Sequence, residues 1–438
     1  MLTLLRIGSG AGFAGDRIEP AKALVEKGNL DYLILEGLAE RTIALAQKHK
    51  QKNPSQGYNE YLEERIRVLL PILLKKKVRL ITNMGAANPS SAAKKIIEIA
   101  KELGLSCKVA AVTGDDVFDK INGAYNVLES DKSLRDYEPI ISANAYLGIE
   151  SIIPALESGA NIIVTGRVAD PSLFLAPIVH HYGWDLKDYN LIGQGTLIGH
   201  LLECAGQITG GYFADPGRKD VEGLENLGFP YAIIEPNGHA TITKLPETGG
   251  TVSLQTVKEQ LLYEIHDPTN YYTPDCIADF STAKLEETGK NKVLVYGATG
   301  KRKPDTLKVS VGYHAGFLGE GEISYGGSTA LQRGQLAQQI LTKRLLQNYP
   351  QLKTDLIGVS SLHPRQFGNA CPYEVRVRVA ALCKTAEEAK TIGHEVESLY
   401  TNGPAAGGGA RKNVQEVIGI VSTFIHRKEI TVNTEVLE

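Results

Sequence analysis

In Val78-Arg-Leu-Ile-Thr-Asn-Met-Gly-Ala-Ala-Asn-Pro89 a short apolar segment runs directly into a polar turn. Ser90 or Ser91 then caps a predicted helix over residues 92–103, since a serine oxygen accepts a free amide of the first helical turn. The same order of apolar segment, polar turn and helix recurs along the first part of the chain. This alternation predicts an α/β fold with a mainly parallel sheet flanked by helices.

Polar turns follow the predicted strands, and ligands bind at the carboxyl ends of strands in sheets of this kind. The turns cover residues 8–16, 36–37, 83–88, 113–116 and 165–170. We expect them to gather on one edge of the sheet, so Asn83 and Asp116 become candidate site residues. Asp115 and Asp116 together can chelate a divalent metal, although a helix cap is the preferred interpretation.

The pattern of the sequence changes after about residue 288. Residues 375–382 alternate valine with arginine, which predicts an antiparallel strand with one wet face. The glycine-rich segment 402–410 is either a connector or a set of amides for an anion. We therefore predict an α/β main domain over residues 1–288, which carries the active site, and a smaller α+β domain over residues 289–438.

The composition is typical of a cytoplasmic protein. The chain of 438 residues has a formal net charge of -3, which gives no attraction to nucleic acid or anionic lipid. Its five cysteines are widely spaced without a C-x-x-C pair, as expected in a reducing compartment. The apolar run 68–74 is too short for a membrane span, and the first residues do not form a signal peptide. We expect a soluble protein that binds neither nucleic acid nor membranes.

Two neighbouring segments contain the side chains best suited to chemistry. In residues 195–211 a helical period places four polar side chains on one face, and glycines then end the helix. These side chains are His200, Glu203, Cys204 and Gln207. Residues 161–171 predict a buried strand that opens into a polar turn with Arg167 and Asp170. We interpret the segments as facing walls of one site; the alternative is a helix that buries a satisfied histidine and an inert cysteine.

The amino-terminal segment Gly8-Ser-Gly-Ala-Gly-Phe-Ala-Gly15 contains the spacing G-x-G-x-x-G. Glu36 follows the next predicted strand, and an acid about 20 residues after such glycines completes a dinucleotide fingerprint. Asp16 counts against a nucleotide, because its charge would meet the phosphates. A tight turn between strand and helix and an anion pocket assisted by Arg17 are the alternatives.

Eight segments together carry a resemblance to one family. They are Arg6-Ile-Gly8, Gly12-Phe-Ala-Gly-Asp-Arg17, Asn144-Ala-Tyr-Leu-Gly148, Thr165-Gly-Arg-Val-Ala-Asp-Pro171, Gly199-His-Leu-Leu-Glu-Cys-Ala-Gly-Gln207, Thr209-Gly-Gly-Tyr-Phe-Ala-Asp-Pro216, His266-Asp-Pro268 and Asn402-Gly-Pro404. Over almost its whole length the chain resembles the acyclic terpene utilisation (AtuA-like) family. The resemblance implies an α/β main domain with a carboxyl-terminal module, and a place among enzymes that degrade branched terpenoid acids as CoA thioesters. It also implies a lyase or hydratase step on a hydroxyacyl-CoA.

Chemistry beside a thioester carbonyl needs an acid, a base and donors for the enolate oxygen. We predict His200 and Glu203 as the acid and base, and Arg167 as a fork that holds a carboxylate. Amides of residues 10–15 or 210–211 would bind the oxyanion. A metal-dependent version would place a divalent ion between His200, Glu203 and either Asp116 or Asp170.

The predicted site contains catalytic and substrate-binding residues. The catalytic residues are His200, Glu203, Cys204 and Asp116. The substrate-binding residues are Gly10, Gly12, Asp16, Arg17, Asn83, Asn144, Arg167, Asp170, Gln207, Gly210, Gly211, Tyr212 and His266. The expected substrate is a CoA thioester, with the metal requirement left open. Two other functions stay open, an NAD-dependent oxidoreductase and a non-catalytic subunit that holds a small partner protein, and we expect a homo-oligomer.

Overall fold

The computed structural model describes residues 4–363 and 372–438, so Cys371 and the first residues of the predicted amino-terminal strand lie outside the described residues. Within those ranges the chain forms ten α-helices and eighteen β-strands. The helices are α1 (Ile18–Lys27), α2 (Glu40–Lys52), α3 (Leu62–Lys76), α4 (Pro89–Glu102), α5 (Ile149–Glu157), α6 (Asp170–Tyr182), α7 (Tyr189–Glu203), α8 (Leu254–Leu262), α9 (Ala330–Leu345) and α10 (Ala386–Asn402). The strands are β1 (Leu5–Ala11), β2 (Tyr32–Leu35), β3 (Arg79–Thr82), β4 (Val109–Thr113), β5 (Ile140–Ala145), β6 (Ile162–Thr165), β7 (Pro230–Ile234), β8 (Ala240–Lys244), β9 (Tyr271–Tyr272), β10 (Ile277–Asp279), β11 (Lys284–Gly289), β12 (Lys292–Tyr296), β13 (Thr299–Lys301), β14 (Thr306–Gly326), β15 (Lys353–Ile357), β16 (Glu374–Cys383), β17 (Gly408–His426) and β18 (Asn433–Leu437).

The main sheet is mixed. In the described part of the chain it has ten strands in the order β11-β12-β8-β7-β1-β2-β3-β6-β4-β18. The central strands β1, β2, β3, β6 and β4 run parallel, whereas β7, β8, β12 and β11 on one side and β18 on the other are antiparallel. The α/β class is confirmed, but the prediction of a mainly parallel sheet is wrong. Two of the antiparallel pairs, β7–β8 and β11–β12, are hairpins whose short turns, such as Asn237-Gly238, join neighbouring strands without a crossover helix.

Helices cover both faces of the central parallel strands. Leu33, Leu35 and Leu80 share a core cluster with apolar side chains of α1, α3 and α4. Ile34 and Ile81 alternate with them along the same strands, point to the other face and are also fully buried. Continuous apolar runs are the sequence signature of strands buried on both faces, which explains why these strands could be predicted.

The chain divides into two compact units. The first comprises Met1–Asp136, Ile140–Gly312 and Ile420–Glu438, and the second comprises Tyr137–Pro139 and Tyr313–Gly419. The predicted domain division at residue 288 stays a prediction, because the units describe packing and not independent folding. No helix in the described ranges is both long and apolar enough to cross a membrane.

The second unit packs α9 and α10 on one face of antiparallel strands in the order β15-β16-β14-β17. Val375, Val377 and Val379 of β16 are buried against these helices. Arg376 and Arg378 alternate with them and form ion pairs with glutamates of β14 on the opposite face. The predicted strand with one wet face is therefore confirmed.

Candidate functional site

A cavity of about 740 Å³ lies in the first unit at the carboxyl ends of three parallel strands. Its walls include residues 12–16 after β1, residues 36–40 after β2, and Arg167 and Asp170 after β6. The end of α7 forms a further wall at Glu203 and Cys204. The strand-end turns and the central helix thus meet at one site. The turns after β3 and β4 lie behind this wall and contribute hydrogen bonds to it.

Carboxyl groups dominate the polar lining of this cavity. Among the described residues that line it, six carry a carboxyl group: Asp16, Glu36, Glu40, Asp170, Glu203 and Glu264. Arg167 is the one guanidinium in the same lining. A cleft with such an excess of acids favours the neutral form of some of them, because like charges and burial both penalise ionisation.

Glu203 is the carboxyl of the cavity lining that pairs with a buried histidine. Its Oε1 lies 2.9 Å from Nδ1 of His200, and its buried Oε2 has no hydrogen-bond partner among the described residues. Burial raises the pKa of Glu203 to about 7, with the hydrogen bond to His200 opposing the shift. A carboxyl with such a pKa exchanges protons readily near neutral pH, as a general acid or base must.

His200 does not line the cavity, contrary to the prediction that it shares an open helix face with Glu203. The residue is 1% exposed, and its ring stacks on Phe280 at a centroid distance of 5.6 Å. The ring also packs against Tyr271, and Gln260 donates a hydrogen bond to the carbonyl oxygen of His200. The contact of the imidazole with the cavity lining is its hydrogen bond to Glu203.

Glu36 is the second carboxyl with a large pKa shift. Its Oε1 accepts hydrogen bonds from the amide of Leu38 at 2.8 Å and from the side chain of Asn83 at 3.0 Å. Burial and the charge of Asp170 raise the pKa of Glu36 to about 8, against the opposing charge of Arg167. The predicted site residue Asn83 therefore supports Glu36 from behind, and Glu36 itself lines the cavity.

Arg167 is held by protein acceptors on several sides. Its Nε donates to the carbonyl oxygen of Val168 at 2.9 Å, and its Nη atoms donate to the carbonyl oxygens of Leu38 and Val168 and to Asp170. Its guanidinium also lies 4.6 Å from the centroid of the Tyr146 ring. Most of the fork already donates to protein acceptors, and the prediction that Arg167 holds a substrate carboxylate stays a prediction. Arg167 supplies positive charge to the cavity.

Asp115 and Asn144 hold the turn that carries Arg167. Asp115 Oδ2 accepts from the Arg167 amide at 2.9 Å and from Asn144 Nδ2 at 2.8 Å, and burial raises the pKa of Asp115 to about 6. Asp116, the neighbour that was predicted to be catalytic, instead accepts a hydrogen bond from Gln47 away from the cavity. Adjacent residues of an extended segment point to opposite sides, so only one of the two aspartates supports the site.

The glycine-rich turn after β1 is closed by its own aspartate. Asp16 accepts a hydrogen bond from the Gly12 amide at 2.7 Å, and a Cβ atom at Gly12 would collide with the backbone of Cys204. Gly10 packs against leucines of β2 in the core. The glycines thus permit close packing, and the amide that a phosphate would need is occupied. This geometry argues against the dinucleotide alternative.

The structure also corrects the predicted end of the central helix. α7 stops at Glu203, and Ala205, at φ +42°, begins a 3-10 turn, so Gln207 leaves the helical face. The amides of Gly210 and Gly211 donate to carbonyl oxygens of residues 206–207. The sequence predicts that backbone amides of residues 10–15 or 210–211 bind an oxyanion. The amides of Gly12, Gly210 and Gly211 are not available for this, because each already donates to an acceptor of the protein.

The remaining predicted residues divide between the cavity wall and other surfaces. Cys204, Gln207, Gly211 and Tyr212 line the cavity. Burial raises the pKa of the Cys204 thiol, so it is not a thiolate nucleophile at neutral pH. Arg17 is exposed and donates to the carbonyl oxygen of Glu225, and His266 is exposed outside the lining.

No group of three His, Cys, Asp or Glu residues within residues 4–363 and 372–438 is arranged to hold a metal ion. The predicted metal ligands do not come together around one point. Nδ1 of His200 is in a hydrogen bond with Glu203, and Asp116 accepts a hydrogen bond from Gln47 away from the cavity. The described residues therefore do not fit the predicted metal-dependent version, and no step is assigned to a metal.

Sequence reasoning missed several cavity residues, most clearly Glu40 and Tyr146. The Tyr146 hydroxyl donates to Glu40, and this bond, with the charge of Lys308, lowers the pKa of Glu40 although burial opposes it. The sequence predicts Glu36 as the acid that would hold a ribose hydroxyl in the dinucleotide alternative. The shared signal was a carboxylate just beyond the end of a strand, which applies to Glu36 and Glu40 alike.

Apolar groups form the rest of the wall. Phe13, Leu38, Leu227 and Phe229 line the cavity, and the rings of Tyr212 and Tyr263 meet edge to face at a centroid distance of 6.4 Å. A ligand that combines a hydrocarbon chain with one polar, reactive end matches this division of the surface.

The fold and the site together define a mixed α/β protein whose main sheet ends in a carboxyl-lined cavity. The chain belongs to the acyclic terpene utilisation family, because the family model described as acyclic terpene utilisation family protein AtuA matches residues 5–436. No curated protein matches the chain. Among solved structures, an aspartate kinase from Clostridium acetobutylicum is similar over 95% of each chain at 11% identity, but its TM-score of 0.19 carries no argument about the fold.

Proposed function

We propose that the chain is an acid–base enzyme, a lyase or hydratase, that acts on a branched hydroxyacyl-CoA or a related carboxylic acid. The observation that carries this proposal is the pair of cavity carboxyls, Glu203 and Glu36, whose pKa values of about 7 and about 8 lie near neutrality. Family membership and the apolar part of the wall support a branched acyclic chain as the rest of the substrate.

Addition or elimination of water beside a thioester needs a proton to leave the α carbon and another to reach the departing hydroxyl. Glu203 is the best-placed proton carrier, because its Oε2 has no hydrogen-bond partner within the described structure. His200 holds the other oxygen of Glu203 and so fixes the direction in which Oε2 points. Glu36 is a second group that can hold a proton. Burial and the charge of Asp170 raise the pKa of both Glu36 and Glu203.

Arg167 would stabilise negative charge that develops on the acyl oxygen. Its guanidinium is fixed by backbone carbonyls and by Asp170, so it need not reorganise during the reaction. The ring of Tyr146 under the guanidinium keeps water from that side. The wall at Leu227 and Phe229 would accommodate the hydrocarbon chain.

The test is a screen of hydroxyacyl-CoA and enoyl-CoA thioesters by mass spectrometry, with and without EDTA. We expect at least one branched substrate to gain or lose water or to be cleaved. Glu203→Gln should slow that reaction by about 100-fold or more, the usual contribution of a general acid or base. Glu259→Gln is the matched control, because Glu259 is an exposed glutamate of α8 that does not line the cavity.

Two results would count against the proposal. If the wild-type chain neither binds nor converts any thioester or free acid in the panel, the enzyme assignment is wrong. If Glu203→Gln and Glu259→Gln convert the substrate equally fast, the cavity is not the active site. That result would support the alternative hypothesis of a non-catalytic subunit.

A further inference from the structure

The outer edge of β17 in the second unit is a strand edge without a neighbouring strand. β17 stands last in the order β15-β16-β14-β17, so among the described residues no strand of this chain pairs with its outer side. Residues 411–415 of this strand are all exposed. An open edge of this kind offers backbone amides and carbonyls to another strand.

Two hydrogen bonds show which residues of β17 direct their backbone groups outward. The Ala410 amide donates to the hydroxyl of Tyr400 at 3.0 Å, and the carbonyl oxygen of Ser422 accepts from the Leu128 amide at 2.9 Å. Neither partner belongs to the ladder with β14. Because outward and inward groups alternate along a strand, residues 412, 414 and 416 also direct their amides and carbonyls outward.

The side chains at these positions are Lys412, Val414 and Glu416, and alternation places them on one face of the strand. Within the chain, Lys412 pairs with Glu397 at 2.6 Å and Glu416 contacts His314 at 3.3 Å. Lys412 and Glu416 are four residues apart, a span of about 13 Å in an extended strand, so they do not reach each other.

We infer that two copies of this chain join through antiparallel pairing of their β17 edges, with Val414 opposite Val414. In that register Lys412 of each copy lies opposite Glu416 of the other, so the charges are self-complementary about the two-fold axis. A dyad at residue 416 would instead place Glu416 opposite Glu416, and a dyad at residue 415 would place Glu416 opposite Val414. Charge complementarity therefore selects one register.

The charges on this edge are those expected of a strand that pairs with a second strand, and not those of an edge strand that repels one. Natural edge strands often use lysine to repel a second strand, because its charge would be buried without a counterion. Here the position that faces Lys412 in the inferred register carries a glutamate, which removes that penalty. The inference rests on the edge of β17 and does not depend on the proposed function.

Charge reversal tests the pairing, with the mass of the full chain in solution as the readout. Lys412→Glu and Glu416→Lys each place like charges opposite one another, so each variant alone should show half the mass of the wild-type assembly. A mixture of the two variants restores two opposite-charge pairs in every mixed dimer and should recover the wild-type mass. Lys384→Glu, an exposed site before α10, is the matched control and should leave the mass unchanged.

Val414→Pro provides a second test that does not rely on charge. Its amide faces outward, so proline removes a bond to the partner and leaves the ladder with β14 intact. This variant should remain folded by circular dichroism and lose the dimer. A monomeric wild-type chain, single charge variants with the wild-type mass, or a mixture that stays at half mass would each overturn the inference.

Discussion

Carboxylates are arranged differently in the cavity of the first unit and on the sheet face of the second unit. On the sheet face each glutamate has a partner: Arg376 lies 3.2 Å from Glu322, and Arg378 donates to Glu320 through Nε at 3.0 Å. Among the described residues that line the cavity there are six carboxyl groups and one guanidinium, that of Arg167, and Lys308 pairs with Glu40 from outside the lining. On the sheet face, arginines of one strand neutralise glutamates of the next strand. In the cavity, the carboxyl groups outnumber the basic groups.

The two regions use charge for different ends, one for solubility and the other for chemistry. Paired and partly exposed ions contribute little to stability, but they keep a sheet face wet and soluble. Buried unpaired carboxyls cost stability, because their ionised form loses hydration. A protein retains such groups where a proton must be held or moved, which is why the cavity is the candidate active site.

The largest expected effect comes from removing the cation of the cavity. Arg167→Met would leave Asp170 without its buried counter-charge and the carbonyl oxygens of Leu38 and Val168 without their donor, so we expect a loss of about 3 to 5 kcal/mol in the free energy of unfolding at pH 7. The loss should be smaller at pH 5, because burial raises the pKa of Asp170 and its carboxyl therefore takes up a proton more readily as the pH falls. Denaturant unfolding at both pH values measures it.

Arg167→Lys is the companion variant for this experiment, since it keeps a charge but not the planar contacts. The free energy of unfolding of Arg167→Lys should lie between that of the wild type and that of Arg167→Met. If Arg167→Met is as stable as the wild type at pH 7, the cavity does not hold an uncompensated excess of buried acid, and the contrast between the two regions fails.

A second prediction concerns the pH dependence of stability. The pKa of Glu36 rises from 4.5 to about 8 on folding, so the folded chain keeps a proton that the unfolded chain has lost. The free energy of unfolding should therefore fall between about pH 4.5 and pH 8, by up to about 1.4 kcal/mol per pH unit from this group. Glu36→Gln should flatten the slope, leaving the part that Glu203 contributes below about pH 7.

The slope is measured from denaturant unfolding in a series of buffers. Glutamine keeps an oxygen that can accept from Leu38 and Asn83, so a change in slope reports the proton and not the loss of these bonds. An identical slope in wild type and Glu36→Gln would show that Glu36 is ionised in the folded protein.

The smallest effect is expected on the sheet face. Arg378→Met should lower the free energy of unfolding by less than about 1 kcal/mol, because the pair with Glu320 is partly exposed and screened by solvent. A double-mutant cycle with Glu320→Gln measures the coupling between the two side chains. A coupling as large as the effect of Arg167→Met would remove the distinction between the two regions.

Part of the site could be predicted from local pattern. The helix that ends at Glu203 was recognisable from its apolar period, and the turn with Arg167 and Asp170 followed from the strand before it. The direction of the His200 ring could not be predicted, since it depends on Phe280 and Tyr271 far along the chain. Helical spacing brings two side chains to one side of a helix, but it does not decide which of them the neighbouring layer covers.

Local sequence patterns were enough to predict the α/β class, the buried strands, the wet face of β16 and membership of the family, because alternation and apolar runs are local properties. The mixed sheet, and the cavity that Glu36, Glu40 and Glu203 share with Arg167, are visible only in the folded chain. Strand pairing and pKa shifts depend on groups that are distant in sequence and close in space, such as Glu36 and Asp170. Local periodicity does not encode those distances.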